Sequence, residues 1–274
     1  MRTTGYPTGS LGYDRGMPAP VVLVHGLRTS ATMWRYQVER LTALGIPVRT
    51  VELPGHGTRI AERFTLEGAL AAIDEAVREA AREQGAPAFL VGFSLGGYLS
   101  LRYAGAADVR PPIRGLLAAS CGTSPAVAVL EPYRLAANLI HRLPDRGARL
   151  NEFFVRAFIP RPGADDVLAG GAALDVMDDV LRALRGLAPA ASVRRITAPI
   201  WFVNGQFDHF RLQERRFVRA ARDARLVHIP GANHMVSVTR PAEFTDVLLR
   251  ALAETGGAVP PQPRTPLGRP PERP

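Results

Sequence analysis

No lysine occurs in this chain. Its 34 basic residues are all arginine, against 25 Asp and Glu, for a formal net charge of +9. An excess of that sign can mark an anionic partner such as nucleic acid or a membrane surface, but such a footprint needs clustering. The arginines are scattered instead, and many share a candidate helix with Glu or Asp. The charge therefore reads as a solvated surface, and no nucleic-acid partner is expected. Cysteine is nearly absent too. Cys121 stands alone, which excludes an intramolecular disulfide, and its place at the end of an apolar run suits a buried, inert thiol. No His/Cys cluster has zinc-like spacing, so no metal is expected. No apolar run approaches a membrane span, and the opening residues lack the apolar core of a signal peptide. The expectation is a cytoplasmic protein. No internal repeat is visible, and nothing in the sequence speaks to oligomeric state.

The 274 residues present are enough for one domain with a full hydrophobic core. Residues 1–19 are punctuated by Gly and Pro and are expected to be irregular. Residues 256–274 are Pro-rich with almost no apolar side chains, which predicts a disordered tail. Between these ends, strands and helices alternate. Val21–Val24 is a short continuous apolar run that suits a strand buried on both faces, and Val48–Leu53, Ala88–Val91, Ile113–Ala119, Ile200–Val203 and Leu226–Ile229 read as further strands. Ser30–Leu44, a segment capped by Thr65, Tyr98–Ala106 and Pro241–Ala253 read as helices. The pattern predicts an α/β fold, a mostly parallel doubly wound sheet covered by helices on both faces. Its loops at strand C-termini would share one edge. Residues 20–121 and 199–255 form this core. Residues 122–198 break the alternation with candidate helices Tyr133–Leu143, Asn151–Phe158 and Leu174–Leu187. Such an insertion could be a lid over the sheet edge or an extra packing layer. Its length inside a compact domain favours the lid.

The segment Gly92-Phe93-Ser94-Leu95-Gly96 follows a predicted strand and precedes a predicted helix. A G-x-S-x-G turn there lifts the serine hydroxyl above the sheet, and the small flanking residues let helix and strand pack closely. A serine is a poor nucleophile without a base, and the base needs a carboxylate to orient it. In this architecture the chain order is Ser, acid, His. Asp208 follows the strand Ile200–Val203, and His234 follows the strand Leu226–Ile229, in that order. His209 competes as the base, but it adjoins Asp208, and chain neighbours rarely point correctly at each other. The developing oxyanion needs two donors. The Leu95 N–H follows the nucleophile, and the Leu27 N–H lies in the loop after the first strand. His25 reads as a buried brace for that loop. Arg28 could meet an acidic substrate group or lie on the surface. Trp34, Tyr133, Phe153, Phe154 and Phe158 could line an apolar acyl pocket or pack in the core. Phe93 could support the turn from below.

Five motifs, His25-Gly26, Leu53-Pro54-Gly55-His56-Gly57, Gly92 to Gly97, Gly205 to Asp208 and Gly231 to His234, together resemble the α/β-hydrolase fold superfamily across about Pro20 to Ala253. The resemblance implies a Ser94–His234–Asp208 triad, hydrolysis of an acyl-enzyme by water, and no cofactor. It makes residues 122–198 the variable helical cap. Two departures bear on the subfamily. The segment before Val21 is short for the leading antiparallel strands, which predicts trimmed N-terminal strands. Glu52 with Leu53-Pro54 replaces the Asp and Arg of many relatives. The function expected is a serine hydrolase cleaving an ester or thioester of a small, largely apolar substrate. The same residues leave open C–C bond hydrolysis, lactone opening, acyl transfer, or a ligand-binding receptor of this fold.

Overall fold

The computed structural model of the chain describes residues 19–106 and 110–257. The expectations for residues 1–18 and for the tail from 258 lie outside the described residues. The elements run β1 (Val21–Val24), a 3-10 turn (Ala31–Trp34), α1 (Arg35–Ala43), β2 (Val48–Val51), α2 (Leu66–Gln84), β3 (Ala88–Phe93), α3 (Leu95–Ala104) and β4 (Ile113–Ala119). Then come α4 (Val127–Ile140), α5 (Ala148–Phe158), α6 (Gly163–Ala169), α7 (Met177–Arg185) and α8 (Pro189–Arg195). The chain closes with β5 (Ile200–Gly205), α9 (Glu214–Ala220), β6 (Ala224–Ile229), α10 (Val236–Thr239) and α11 (Pro241–Glu254).

The strands lie in the order β2–β1–β3–β4–β5–β6, every neighbouring pair parallel. Alternate strand residues point to opposite faces. Val22, Val24, Leu90, Leu116, Ala118 and Phe202 pack with buried residues of α2, α3, α8 and α9. Val21, Leu23, Phe89, Val91, Leu117 and Trp201 pack with Trp34, α1 and α11 on the other face. Burial on both faces explains why the central strands β1 and β3 read as apolar runs rather than alternating ones. Helix starts follow local chemistry. Ser30 Oγ accepts the Thr32 N–H at 3.3 Å, and Thr65 Oγ1 accepts the Gly68 N–H at 3.0 Å. Each satisfies an otherwise unpaired helix donor.

The chain winds outward from β1 to β2, then returns to place β3 on the opposite side of β1. The direction of winding thus reverses between β1 and β3, the place where sheets of this kind take ligands. Register pairs Val24 with Gly92, so the loops after β1 and β3 emerge side by side. Five helices, α4 to α8, stand between β4 and β5. Within this insertion α4 packs against α7, whereas α8 packs against α3 and α9 of the core.

Candidate active site

Ser94 sits where β3 ends and α3 begins, at φ 50° and ψ −112°. That backbone is strained for a residue with a side chain, and such strain concentrates at functional positions. The sharp turn is possible because two flanking residues have no Cβ. At Gly92 a Cβ would overlap the Gly96 carbonyl, and at Gly96 it would overlap the Val24 and His25 carbonyls. Phe93 fills the space below, its ring 5.3 Å from that of His234.

His234 Nε2 lies 3.1 Å from Ser94 Oγ, and His234 Nδ1 lies 2.9 Å from Asp208 Oδ1. The arrangement sets one tautomer. Nδ1–H donates to the carboxylate, which frees Nε2 to accept from the serine hydroxyl. Asp208 is buried, and Oδ1 also accepts the Phe210 N–H at 2.8 Å. Burial works against its charge, but the His234 hydrogen bond, the His234 charge and the Phe210 N–H outweigh it. The Asp208 carboxyl is held below its ordinary range. His209 makes no hydrogen bond to Ser94 or Asp208 among the described residues. Its ring lies 5.1 Å from that of His234 and 4.4 Å from that of Phe210, and burial with the His234 charge lowers its pKa.

Ser120 has no candidate role in the sequence, yet it fixes the histidine loop. Its Oγ donates to the His234 carbonyl at 2.7 Å, from a backbone with φ 54°. No local signal reveals it, because its position depends on β4 lying beside β3. Behind the loop after β1, His25 Nδ1 donates to the Gly26 carbonyl at 2.8 Å. His25 Nε2 lies 3.1 Å from the Leu53 nitrogen and 3.1 Å from Glu52 Oε1. The brace expected of His25 is therefore present. Burial opposes the Glu52 charge, but the His25 contact and the Ala31 N–H outweigh it, so this carboxyl is also lowered. His56 packs 5.0 Å from the His25 ring and donates from Nδ1 to the Pro54 carbonyl at 3.0 Å. Cys121 is buried, and burial pushes its thiol pKa up.

A cavity of about 190 Å³ opens above Ser94. Ser94, His234, Leu27 and Leu95 form its floor. Among the described residues neither the Leu27 nor the Leu95 backbone N–H donates to a protein acceptor. The walls are Leu130 and Tyr133 of α4, Met177, Leu181 and Leu184 of α7, with Tyr98, Pro125, Phe210 and Arg28. Of the aromatic pocket candidates only Tyr133 lines this cavity. Trp34 does not: it is 0% exposed and packs 5.9 Å from Phe244 on the opposite face of the sheet. Phe153 and Phe154 also miss it. They are 65% and 48% exposed, because α5 turns that face outward. Phe158 is likewise exposed.

Among the described residues no group of three or more His, Cys, Asp or Glu is placed to hold a metal ion. None of their helices is long and apolar enough to cross a membrane.

A comparison with curated proteins found no match. Solved structures do match. A thermophilic esterase from Thermogutta terrifontis is 20% identical with a TM-score of 0.70, covering 88% of this chain and 92% of its own. An E-2-(acetamidomethylene)succinate hydrolase is 18% identical with a TM-score of 0.70, covering 88% and 97%. The enol-lactonase from Burkholderia xenovorans LB400 is 20% identical with a TM-score of 0.68, covering 88% and 94%. A sequence profile described as the alpha/beta hydrolase family matches residues 21–247. By that match, and by the sheet that carries it, the chain belongs to the alpha/beta hydrolase family.

Proposed function

We propose that the protein is a serine hydrolase that cleaves a carboxylic ester or thioester of a small, largely apolar substrate. The observation that carries this reading is the relay from Asp208 through His234 to Ser94, with contacts of 2.9 and 3.1 Å, at the floor of an apolar cavity. Ser94 Oγ attacks the substrate carbonyl carbon while His234 Nε2 takes the hydroxyl proton. The Leu27 and Leu95 N–H groups receive the oxyanion. As the tetrahedral intermediate collapses, the acyl–leaving-group bond breaks and His234 returns its proton to the departing alcohol or thiol. Water then repeats the sequence on the acyl-enzyme, with His234 first as base and then as acid, and releases the acid and free Ser94. Side chains, backbone donors and water suffice for every step. Helices α4 to α7 of residues 122–198 act as the cap that shapes the acyl site, and α8 anchors the return to the core.

The test is covalent labelling by a fluorophosphonate together with hydrolysis of short p-nitrophenyl esters. Wild type should be labelled at Ser94. Ser94→Ala should fold normally, escape labelling and lose turnover by roughly 10,000-fold or more. Turnover near wild type in that variant overturns the assignment. A panel adding lactones, C–C substrates and alcohol acceptors separates ester hydrolysis from the other reactions this fold supports.

A further inference from the structure

Among the described residues, one guanidinium lines the apolar cavity without an ion pair to a carboxylate. Arg28 lines the cavity in the loop that also carries the Leu27 N–H. Its Nη2 donates to Asn151 Oδ1 on α5 at 2.6 Å. Asn151 is a neutral acceptor, so it holds the guanidinium in place without cancelling the charge. The remaining donors have no protein partner among the described residues, and Nε is buried. Burial alone perturbs this group, lowering its pKa, and no neighbouring acid offsets the effect. Arg28 also holds φ 62°, a backbone that a side-chain residue adopts at a cost. Other arginines of the chain pair with acids at the surface, among them Arg49, Arg59 and Arg78. A guanidinium turned into a desolvated wall is stabilised by an anion that presents two oxygens to its fork.

We infer that the substrate carries a carboxylate a few carbons from its scissile carbonyl, and that Arg28 binds this carboxylate. Arg28 is a specificity residue and Asn151 positions it. The chemical class is a monoester or monothioester of a short dicarboxylic acid. The apolar walls take the chain between the two ends. This inference rests on the hydrolase reading, because the scissile carbonyl is placed by Ser94.

The experiment compares two matched series with one leaving group: neutral p-nitrophenyl alkanoates, and mono-p-nitrophenyl esters of dicarboxylic acids of equal chain length. At its best length the wild type should prefer the anionic ester by roughly tenfold or more in kcat/KM. Arg28→Gln should lower the ratio of anionic to neutral kcat/KM by roughly 10- to 100-fold, chiefly through KM. Arg28→Lys should recover part of the ratio, since it keeps the charge and loses the fork. Asn151→Ala should lower the ratio by a smaller factor. An absent preference in the wild type at every length, or an unchanged ratio in Arg28→Gln, overturns the inference. If Arg28→Gln does not fold, the wild-type series decides alone. Loss of fluorophosphonate labelling and of neutral-ester turnover would instead remove the hydrolase reading itself, so the two failures are distinct.

Discussion

Asp208 has one charge to keep and one ring to orient, and its surroundings serve both. The carboxyl is held below its ordinary range, so its interaction with His234 is present above that range and is lost as pH falls through the lowered value. Asp208→Asn replaces the anionic acceptor with an amide whose N–H can donate to His234 Nδ1 and so favours the wrong histidine tautomer. The expected outcome is a loss of about 10,000-fold in turnover of a p-nitrophenyl ester, with the circular dichroism spectrum unchanged. His56 makes a different prediction, about stability. Burial and the neighbouring His25 charge push its pKa down to about 4. An unfolded histidine titrates near ~6.5. Between those values the unfolded chain holds a proton at His56 that the folded chain refuses, so stability falls as pH falls. The slope from this one group approaches ~1.4 kcal/mol per pH unit, and its penalty is absent above the unfolded value. Urea unfolding of wild type and His56→Gln across that window checks it. The variant should show the shallower acid limb; parallel limbs would refute the linkage.

The junction of β3 and α3 shows how little freedom an element boundary can have. Gly96→Ala pushes a methyl group against the carbonyls of Val24 and His25 and lifts α3 from β1. A stability loss of about 1–3 kcal/mol is expected, with a larger fractional loss of activity because Ser94 moves with the helix. Thermal melting and ester turnover on one preparation measure both. Trp34 predicts the reverse split. Trp34→Ala should cost about 3–5 kcal/mol in urea unfolding and leave KM unchanged, since the residue lies in the core and not at the cavity. A changed KM at unchanged stability would return it to the pocket. These two positions also show what was legible beforehand. Ile113–Ala119 is read from sequence residue for residue, because its apolar stretch Leu116–Ala119 is buried on both faces and shows as such in the sequence. Ser94, Asp208 and His234 are legible because each follows a strand and their order along the chain is constrained. Trp34, Phe153 and Phe154 are misplaced because an aromatic side chain records the need for an apolar neighbour and not which one. Helices α6 and α8 escape notice because each has only 7 residues, too few for a periodicity.

Among the described residues, many arginines stand in local pairs with acids. Arg49 meets Glu79 and Glu83, Arg156 meets Glu152 and Asp165, and Arg225 meets Asp223 and Glu254. Exposed pairs of this kind add little stability, but each offsets positive charge where it lies. Retention on a DNA column should therefore be weak, with none of the steep salt dependence of a protein that tracks phosphates. Strong retention released only by high salt would restore a nucleic-acid partner. The sheet order carries a last consequence, one of timing. In the proposed triad, nucleophile, acid and base follow three different strands, and the base comes last, after β6. On that reading a chain ending at Ile229 carries the nucleophile and the acid but no proton acceptor. Chain order makes the base the last catalytic group to be synthesised.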